Sequence, residues 1–79
     1  MVTIYSTTWC GYCDRLKKQL DRENIAYNEI DIETDPDAAQ TVMNANDGNQ
    51  VVPTVIFTDG TAMTNPGVLE IKQHLAKTV

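Results

Sequence analysis

Residues 2–13 read VTIYSTTWCGYC and contain both cysteines of the chain, Cys10 and Cys13. The β-branched run at 2–5 predicts a strand and residues 14–22 predict a helix, so the cysteines lie at a strand–helix junction. A helix N-terminus favours the thiolate, which is the form of cysteine that attacks a disulfide. We therefore expect Cys10 to be an exposed nucleophile. Cys13, one turn later on the core side of the helix, would be the shielded cysteine that resolves a mixed disulfide.

A lone C-x-x-C pair also serves zinc and iron–sulfur sites. A structural zinc ion needs about four ligands, and only His74 is available beside the two cysteines. The loop between the cysteines is too short for a disulfide to stabilise the fold usefully. These observations favour redox chemistry and predict no metal site within one chain. A cluster shared between two chains stays open.

The composition fits one small domain, which we expect to span residues 1–79. The net charge of −5 disfavours nucleic acid and anionic membranes as partners. All Lys and Arg residues lie within 15–22 or 72–77, so the central half of the chain offers neutral and acidic groups to a ligand. The sequence shows no signal-peptide pattern, and no apolar run approaches the roughly 20 residues of a membrane span. We expect a cytoplasmic protein.

Hydrophobic periodicity and turn residues predict the remaining elements. In chain order they are a strand at 26–32, a helix at 36–45 capped by Asp35, a strand at 51–58 interrupted by Pro53, a strand at 61–63 after the Asp59-Gly60 turn, and a helix that starts at Asn65-Pro66. The order is β-α-β-α-β-β-α. The first two strands should be parallel and the last two antiparallel. This predicts an α/β fold with a four-stranded mixed sheet flanked by three helices.

Two segments, residues 9–13 (WCGYC) and 52–55 (VPTV), together resemble the thioredoxin superfamily, and a third, residues 64–66 (TNP), narrows the resemblance further. The short chain with a single strand before the cysteines is similar to the glutaredoxin branch. Within that branch the three segments resemble those of the mycoredoxins, actinobacterial proteins that work with the thiol mycothiol. The resemblance spans essentially the whole chain and implies a thioredoxin fold.

The same resemblance implies a thiol–disulfide oxidoreductase that reduces protein–mycothiol mixed disulfides through Cys10 and Cys13. Mycothiol would be the reducing co-substrate, with no bound cofactor, and mycothiolated proteins would be the partners of a monomer. Three alternatives stay open. They are a small redoxin recycled by thioredoxin reductase, an iron–sulfur carrier with Cys10 from two chains, and a glutathione-dependent enzyme.

The resemblance also implies how a substrate is held. Pro53 would be cis and would turn the backbone of Val52 outward, so that a disulfide substrate pairs with it as an added strand. The alternative is a trans proline at the start of a strand. Trp9 and Tyr12 would form an apolar rim that shields the mixed disulfide, although Trp9 serves equally well as packing over the helix start.

A polar pocket is implied by the segment that contains Thr64 and Asn65. Glutathione-dependent glutaredoxins usually have a glycine pair and acidic residues there, and basic side chains help to hold the two carboxylates of glutathione. Mycothiol is a cysteinyl pseudo-disaccharide without a carboxylate, so hydroxyls and amides from Thr8, Gln50, Thr64 and Asn65 would suit its sugars. The alternative for Asn65 is that it only caps the last helix. Lys17 would either support the thiolate or pair with Asp14 and Asp21.

Overall fold

The computed structural model describes residues 2–77, so residues 1, 78 and 79 of the predicted domain lie outside it. Within residues 2–77 the chain forms four strands and three helices in the predicted order. They are β1 (Val2–Ser6), α1 (Gly11–Arg22), β2 (Tyr27–Asp31), α2 (Pro36–Ala45), β3 (Thr54–Phe57), β4 (Ala62–Thr64) and α3 (Val68–Lys77). None of these helices is long and apolar enough to span a membrane.

The strands form one mixed sheet in the order β2-β1-β3-β4. β1 pairs in parallel with β2, with Ser6 opposite Asp31, and antiparallel with β3, with Tyr5 opposite Thr54. β3 and β4 form an antiparallel hairpin. The predicted four-stranded mixed sheet is therefore confirmed, and the strand that leads to the cysteines lies at its centre.

Helices cover both faces of the sheet. The larger core lies under α1 and α3, because the apolar stripes of these helices face the inward side chains of β1 and β3. Its buried members are Val2, Ile4, Leu16, Leu20, Val55, Phe57 and Ile71. The smaller core lies under α2, where small alanines let the helix approach the sheet, and consists of Ile32, Ala38, Ala39 and Val42. Full burial of each large aliphatic side chain contributes about 1.5–3 kcal/mol.

The first helix starts earlier than predicted. It begins at Gly11 because Cys10 acts as its N-cap: the residue has extended backbone angles, and its Sγ accepts the N–H of Cys13 at 3.1 Å. A cysteine in this role is invisible to the usual capping pattern of Ser, Thr, Asp and Asn.

The last helix starts later than predicted. Asn65 has a φ of 46°, whereas an N-cap residue normally lies in the extended region. α3 instead begins after Gly67, whose N–H donates to Glu70 Oε1 at 3.0 Å and whose carbonyl accepts the N–H of Ile71 at 3.3 Å. Asn65 therefore does not cap α3, and that alternative is wrong.

The strand bounds also differ at their ends. β2 covers Tyr27–Asp31 and is an edge strand with no fully buried residue. β3 begins only at Thr54, because Pro53 has no N–H for the ladder. β4 is displaced by one residue to Ala62–Thr64.

Candidate active site

Cys10 and Cys13 are joined as a disulfide, with their Cα atoms 5.2 Å apart. β1 ends at Ser6, a turn follows in which the N–H of Cys10 donates to the carbonyl of Thr7 at 3.4 Å, and α1 then begins. The N–H of Cys13 lies 3.1 Å from Cys10 Sγ. In the reduced protein this N–H and the positive end of the helix dipole would stabilise negative charge on Cys10.

The two cysteines differ less in burial than expected. Cys13 is fully buried, as predicted, but Cys10 is only 4% exposed, so the expected exposed position is wrong for the oxidised state. The N-cap geometry explains the difference, because it directs the Cys10 side chain back over the first helical turn and onto the buried Cys13 sulfur. A thiolate that attacks this disulfide therefore has to reach it through the small part of Cys10 that remains accessible.

Two aromatic residues flank the disulfide and face solvent. Trp9 is 72% exposed and Tyr12 is 65% exposed. A tryptophan that packed over the helix start would be largely buried, and this one is not. The packing alternative for Trp9 is therefore wrong, and the predicted apolar rim remains the interpretation of both residues.

Pro53 lies at the same end of the sheet as the cysteines. The Val52–Pro53 peptide bond is cis, as the resemblance implied. Since Tyr5 of β1 pairs with Thr54 of β3, Pro53 lies beside the end of β1 that leads to Cys10. The Pro53 carbonyl accepts the N–H of Asn65 at 2.7 Å, which joins the cis-proline loop to the segment before α3.

A polar network behind the cis-proline loop was not predicted. At its centre is Asn46, whose Nδ2 donates to the Val42 carbonyl at 2.7 Å and to Thr54 Oγ1 at 3.2 Å, and whose Oδ1 accepts from Thr64 Oγ1. The fully buried Thr54 in turn donates to the Val51 carbonyl at 2.7 Å. The only sequence signal was that Asn46 precedes Asp47-Gly48 at a helix end, which says nothing about its distant partners.

One groove, of about 380 Å³, lies on the flank of α1 that faces β2. We call it the β2-side groove. Its hydroxyl side chains are those of Ser6, Thr7 and Thr8, and its charged side chains are those of Asp14, Lys17, Glu29 and Asp31. It brings Thr8, a predicted substrate-binding residue, together with Lys17 and Asp14, which the sequence analysis considered, and with Glu29 and Asp31, which it did not.

A second groove, of about 250 Å³, lies on the opposite flank of α1. We call it the α3-side groove, and it is lined by Tyr12, Arg15, Gln19, Asn65, Pro66 and Gly67. It unites two predicted substrate-binding residues, Tyr12 and Asn65. The four side chains predicted to form one polar pocket are thus distributed differently: Thr8 lines the β2-side groove, the Thr64 hydroxyl is bound by Asn46, and Gln50 lies 3.9 Å from the sulfur of Met43.

Lys17 is held by carboxylates of the β2-side groove. Its Nζ donates to Glu29 Oε2 at 2.7 Å and lies 3.3 Å from Asp14 Oδ1. The hydrogen bond to Glu29 raises the pKa of Lys17 and lowers that of Glu29, which also accepts from Ser6 Oγ at 2.7 Å. The pairing with Asp14 was predicted; the second partner is Glu29 rather than Asp21.

His74 lies at the other end of the sheet. Its Nε2 is 2.9 Å from Asp59 Oδ2, and its ring packs on Phe57 with the centroids 4.2 Å apart. Phe57 pairs with Val2 at the start of β1, whereas the cysteines follow its end. Within residues 2–77, no three or more His, Cys, Asp or Glu side chains are grouped to hold a metal ion.

Comparison with known proteins gives consistent results. A family model described as Glutaredoxin matches residues 2–62. Mycoredoxin 1 of Corynebacterium glutamicum is 49% identical over 70 residues, which cover 89% of this chain and 86% of that protein. A Mycobacterium tuberculosis protein provisionally named a glutaredoxin is 53% identical over 76 residues, covering 96% and 90%. The crystal structure of the thioredoxin-like protein BC3987 matches with a TM-score of 0.77 and 26% identity, covering 92% of this chain and 97% of that one.

Proposed function

The chain belongs to the glutaredoxin family, and we propose that it reduces protein–mycothiol mixed disulfides. The family and the Cys10–Cys13 pair make it a thiol–disulfide oxidoreductase. The observation that carries the choice of mycothiol is the similarity to Mycoredoxin 1 along most of both chains. We further propose that it acts as a single-domain monomer in the cytoplasm, where thiols are kept reduced.

The reaction consists of successive thiol–disulfide exchanges. The Cys10 thiolate attacks the mycothiol sulfur of the mixed disulfide, so that a Cys10–mycothiol disulfide forms and the protein thiolate leaves. The thiolate of a second mycothiol then attacks the bound mycothiol sulfur, which releases the Cys10 thiolate and mycothiol disulfide. In the alternative second step, the Cys13 thiolate attacks the Cys10 sulfur, forming the Cys10–Cys13 disulfide and releasing mycothiol.

The surroundings of Cys10 support this chemistry. The N–H of Cys13 points at the Cys10 sulfur, which carries negative charge before it attacks the mixed disulfide and again when a second mycothiol releases it. Trp9 and Tyr12 offer apolar surface on which the mixed disulfide can be shielded from water. The Val52 backbone precedes the cis proline, and we propose that it pairs with an extended segment of the substrate. Asn65 and Thr64 remain proposed substrate-binding residues beside it.

We keep one rival function, a small redoxin that receives electrons from thioredoxin reductase. The match to a thioredoxin-like protein extends over nearly the whole of both chains at 26% identity, which fits a chain of this size and fold. The rival would use the same two cysteines but would not need mycothiol.

Side-by-side turnover separates the two functions. A mycothiolated protein is offered with mycothiol, glutathione or thioredoxin reductase as the only source of electrons. We expect rapid turnover with mycothiol, none in the Cys10→Ser variant, and retained turnover in Cys13→Ser through the route with a second mycothiol. Rapid reduction by thioredoxin reductase with no turnover on mycothiol would instead establish the rival.

A further inference from the structure

We propose that Asn46 is a positioning residue: acting through Thr54, it sets the orientation of the Val51–Val52 peptide and so presents the N–H of Val52 to the backbone of a disulfide substrate. The inference rests on the proposed function in one respect, namely that the substrate pairs with Val52. It adds the residue that holds this pairing surface in place, which lies at the end of α2 and not in the loop itself.

The side-chain amide of Asn46 is fully used. Its Nδ2 donates to the Val42 carbonyl at 2.7 Å and to Thr54 Oγ1 at 3.2 Å, and its Oδ1 accepts from Thr64 Oγ1. Only a side-chain amide combines two such donors with an acceptor. Because Val42 belongs to α2, the bond to its carbonyl fixes the amide to the helix and leaves the second N–H directed at Thr54.

The Asn46 donor decides which way the Thr54 hydroxyl points. A hydroxyl has a single proton. Thr54 Oγ1 accepts the N–H of Asn46, so its own proton is donated to the Val51 carbonyl at 2.7 Å. Thr54 is fully buried, so water does not compete for this proton. The hydrogen bonds therefore run in one direction, from α2 through Thr54 to Val51.

The Val51 carbonyl belongs to the same peptide group as the Val52 N–H. This peptide is trans, and the cis bond is the next one along the chain. In a planar trans peptide the carbonyl and the N–H point in opposite directions. Since the carbonyl points at the buried Thr54 hydroxyl, the Val52 N–H points away from the interior. This N–H has no hydrogen-bond acceptor within residues 2–77, so it is available to a backbone carbonyl of the substrate.

Other bonds hold the far side of the loop. The Pro53 carbonyl accepts the N–H of Asn65 at 2.7 Å, and the preceding residue, Thr64, is bound to Asn46 Oδ1. Loss of the two Asn46 donors alone should therefore let the Val51–Val52 peptide turn while the rest of the loop stays in place. Cys10 should not be affected, because its Sγ accepts an N–H from within α1.

The test measures how fast the reduced protein attacks three disulfides in a single turnover, followed by the thiol that is released. Two substrates are mixed disulfides of one extended peptide, with mycothiol and with glutathione. The third is bis(2-hydroxyethyl) disulfide, which contains no peptide group and so cannot pair with Val52.

Two variants interrupt the hydrogen bonds at different points. Asn46→Asp removes both donors and keeps an acceptor for Thr64, and Thr54→Val removes the hydroxyl with little change of shape. Asn44→Asp is the control for the added charge, since Asn44 is an exposed residue of the same helix. Thr58→Val, at an exposed position, is the control for loss of a hydroxyl. Unfolding transitions confirm that each variant is folded.

We expect Asn46→Asp and Thr54→Val each to lower the rate constant for both peptide substrates by about fivefold, the effect of one lost hydrogen bond to a ligand. The rate constant for bis(2-hydroxyethyl) disulfide should not change. The double variant should be no slower than either single variant, because the two residues act in one series of hydrogen bonds. Both control variants should react like the wild type.

Equal losses with all three substrates would show a merely structural role and would overturn the inference. Unchanged rates with the peptides would overturn it too, as would losses that multiply in the double variant. None of these results bears on the choice of mycothiol. A wild-type protein that attacks the two peptide disulfides equally fast, while both variants lose rate on them, would contradict that choice and leave the inference standing.

Discussion

At the scale of single residues, the Thr7 hydroxyl is the least well satisfied group near the disulfide. It is buried and has no partner among the residues that the structure describes, and such a group destabilises the folded state by about 1 kcal/mol or more. Thr7→Val keeps the shape of the side chain and removes the hydroxyl. We therefore expect it to raise the free energy of unfolding by about 1 kcal/mol, measured by urea denaturation.

The matched control is Thr58→Val. Thr58 is exposed, so its hydroxyl already binds water and its removal should change stability by less than about 0.5 kcal/mol. A Thr7→Val protein that is less stable than the wild type would show that the hydroxyl has a partner in solution. A Thr7→Val protein that is more stable but turns over its substrate more slowly would indicate that the Thr7 hydroxyl serves ligand binding.

The Lys17–Glu29 pair makes stability depend on pH. The hydrogen bond from Lys17 holds the pKa of Glu29 below its ordinary value of 4.5. A carboxyl whose pKa is lower in the folded protein than in the unfolded chain stabilises the folded state above pH 4.5. This contribution is lost as the pH falls through the pKa of the folded protein. Glu29→Gln should thus be less stable than the wild type at neutral pH, and the difference should shrink in acid.

Urea denaturation at neutral pH and well below pH 4.5 measures this difference. Glu33→Gln serves as the control, since Glu33 is exposed and its side chain forms no ion pair within residues 2–77. A difference between wild type and Glu29→Gln that stays constant with pH would show that the pair does not shift the ionisation of Glu29.

At the scale of elements, Asn46 joins the end of α2 to β3 and β4. Its side chain bonds to Val42, Thr54 and Thr64, and Thr54 continues the network to the carbonyl of Val51. Asn46→Ala leaves several of these groups unpaired, so we expect a loss of about 2 kcal/mol of unfolding free energy. Amide hydrogen exchange should rise at Val51, Val52 and Thr54.

Asn44→Ala is the control for Asn46→Ala. Asn44 is exposed on the same helix, and its side chain bonds only to Gln40 among the described residues. Removing the Asn44 amide should therefore lower the free energy of unfolding by less than about 0.5 kcal/mol. Equal losses in the two variants would show that the Asn46 network does not hold the cis-proline loop in place.

The elements were predictable where the signal is local. The Asp35-Pro36 pattern identified the start of α2, and Asp35 does accept the N–H groups of Asp37 and Ala38. The same pattern was wrong at Asn65, because its φ of 46° lies outside the extended region that an N-cap residue needs. The start of α1 was missed because the cap is a cysteine sulfur.

At the scale of the whole molecule, the sequence allowed the order of elements and the redox pair to be predicted, since each depends on a short pattern. It did not allow the two grooves to be predicted. The β2-side groove depends on Glu29 of β2 meeting Ser6 of β1 and Lys17 of α1. Such contacts join distant parts of the chain and leave no periodic signal. The burial of Cys10 likewise follows from the folded cap geometry and not from its place in the motif.

The central claim is that Cys10 accepts mycothiol. Intact mass spectrometry of the Cys13→Ser variant after reaction with mycothiol disulfide tests it most directly, because the adduct cannot be resolved by a second cysteine. We predict one mycothiol per chain, located on Cys10 by peptide mapping and removed by added mycothiol. The absence of this adduct, under conditions in which a small-molecule disulfide still modifies Cys10, would contradict the account.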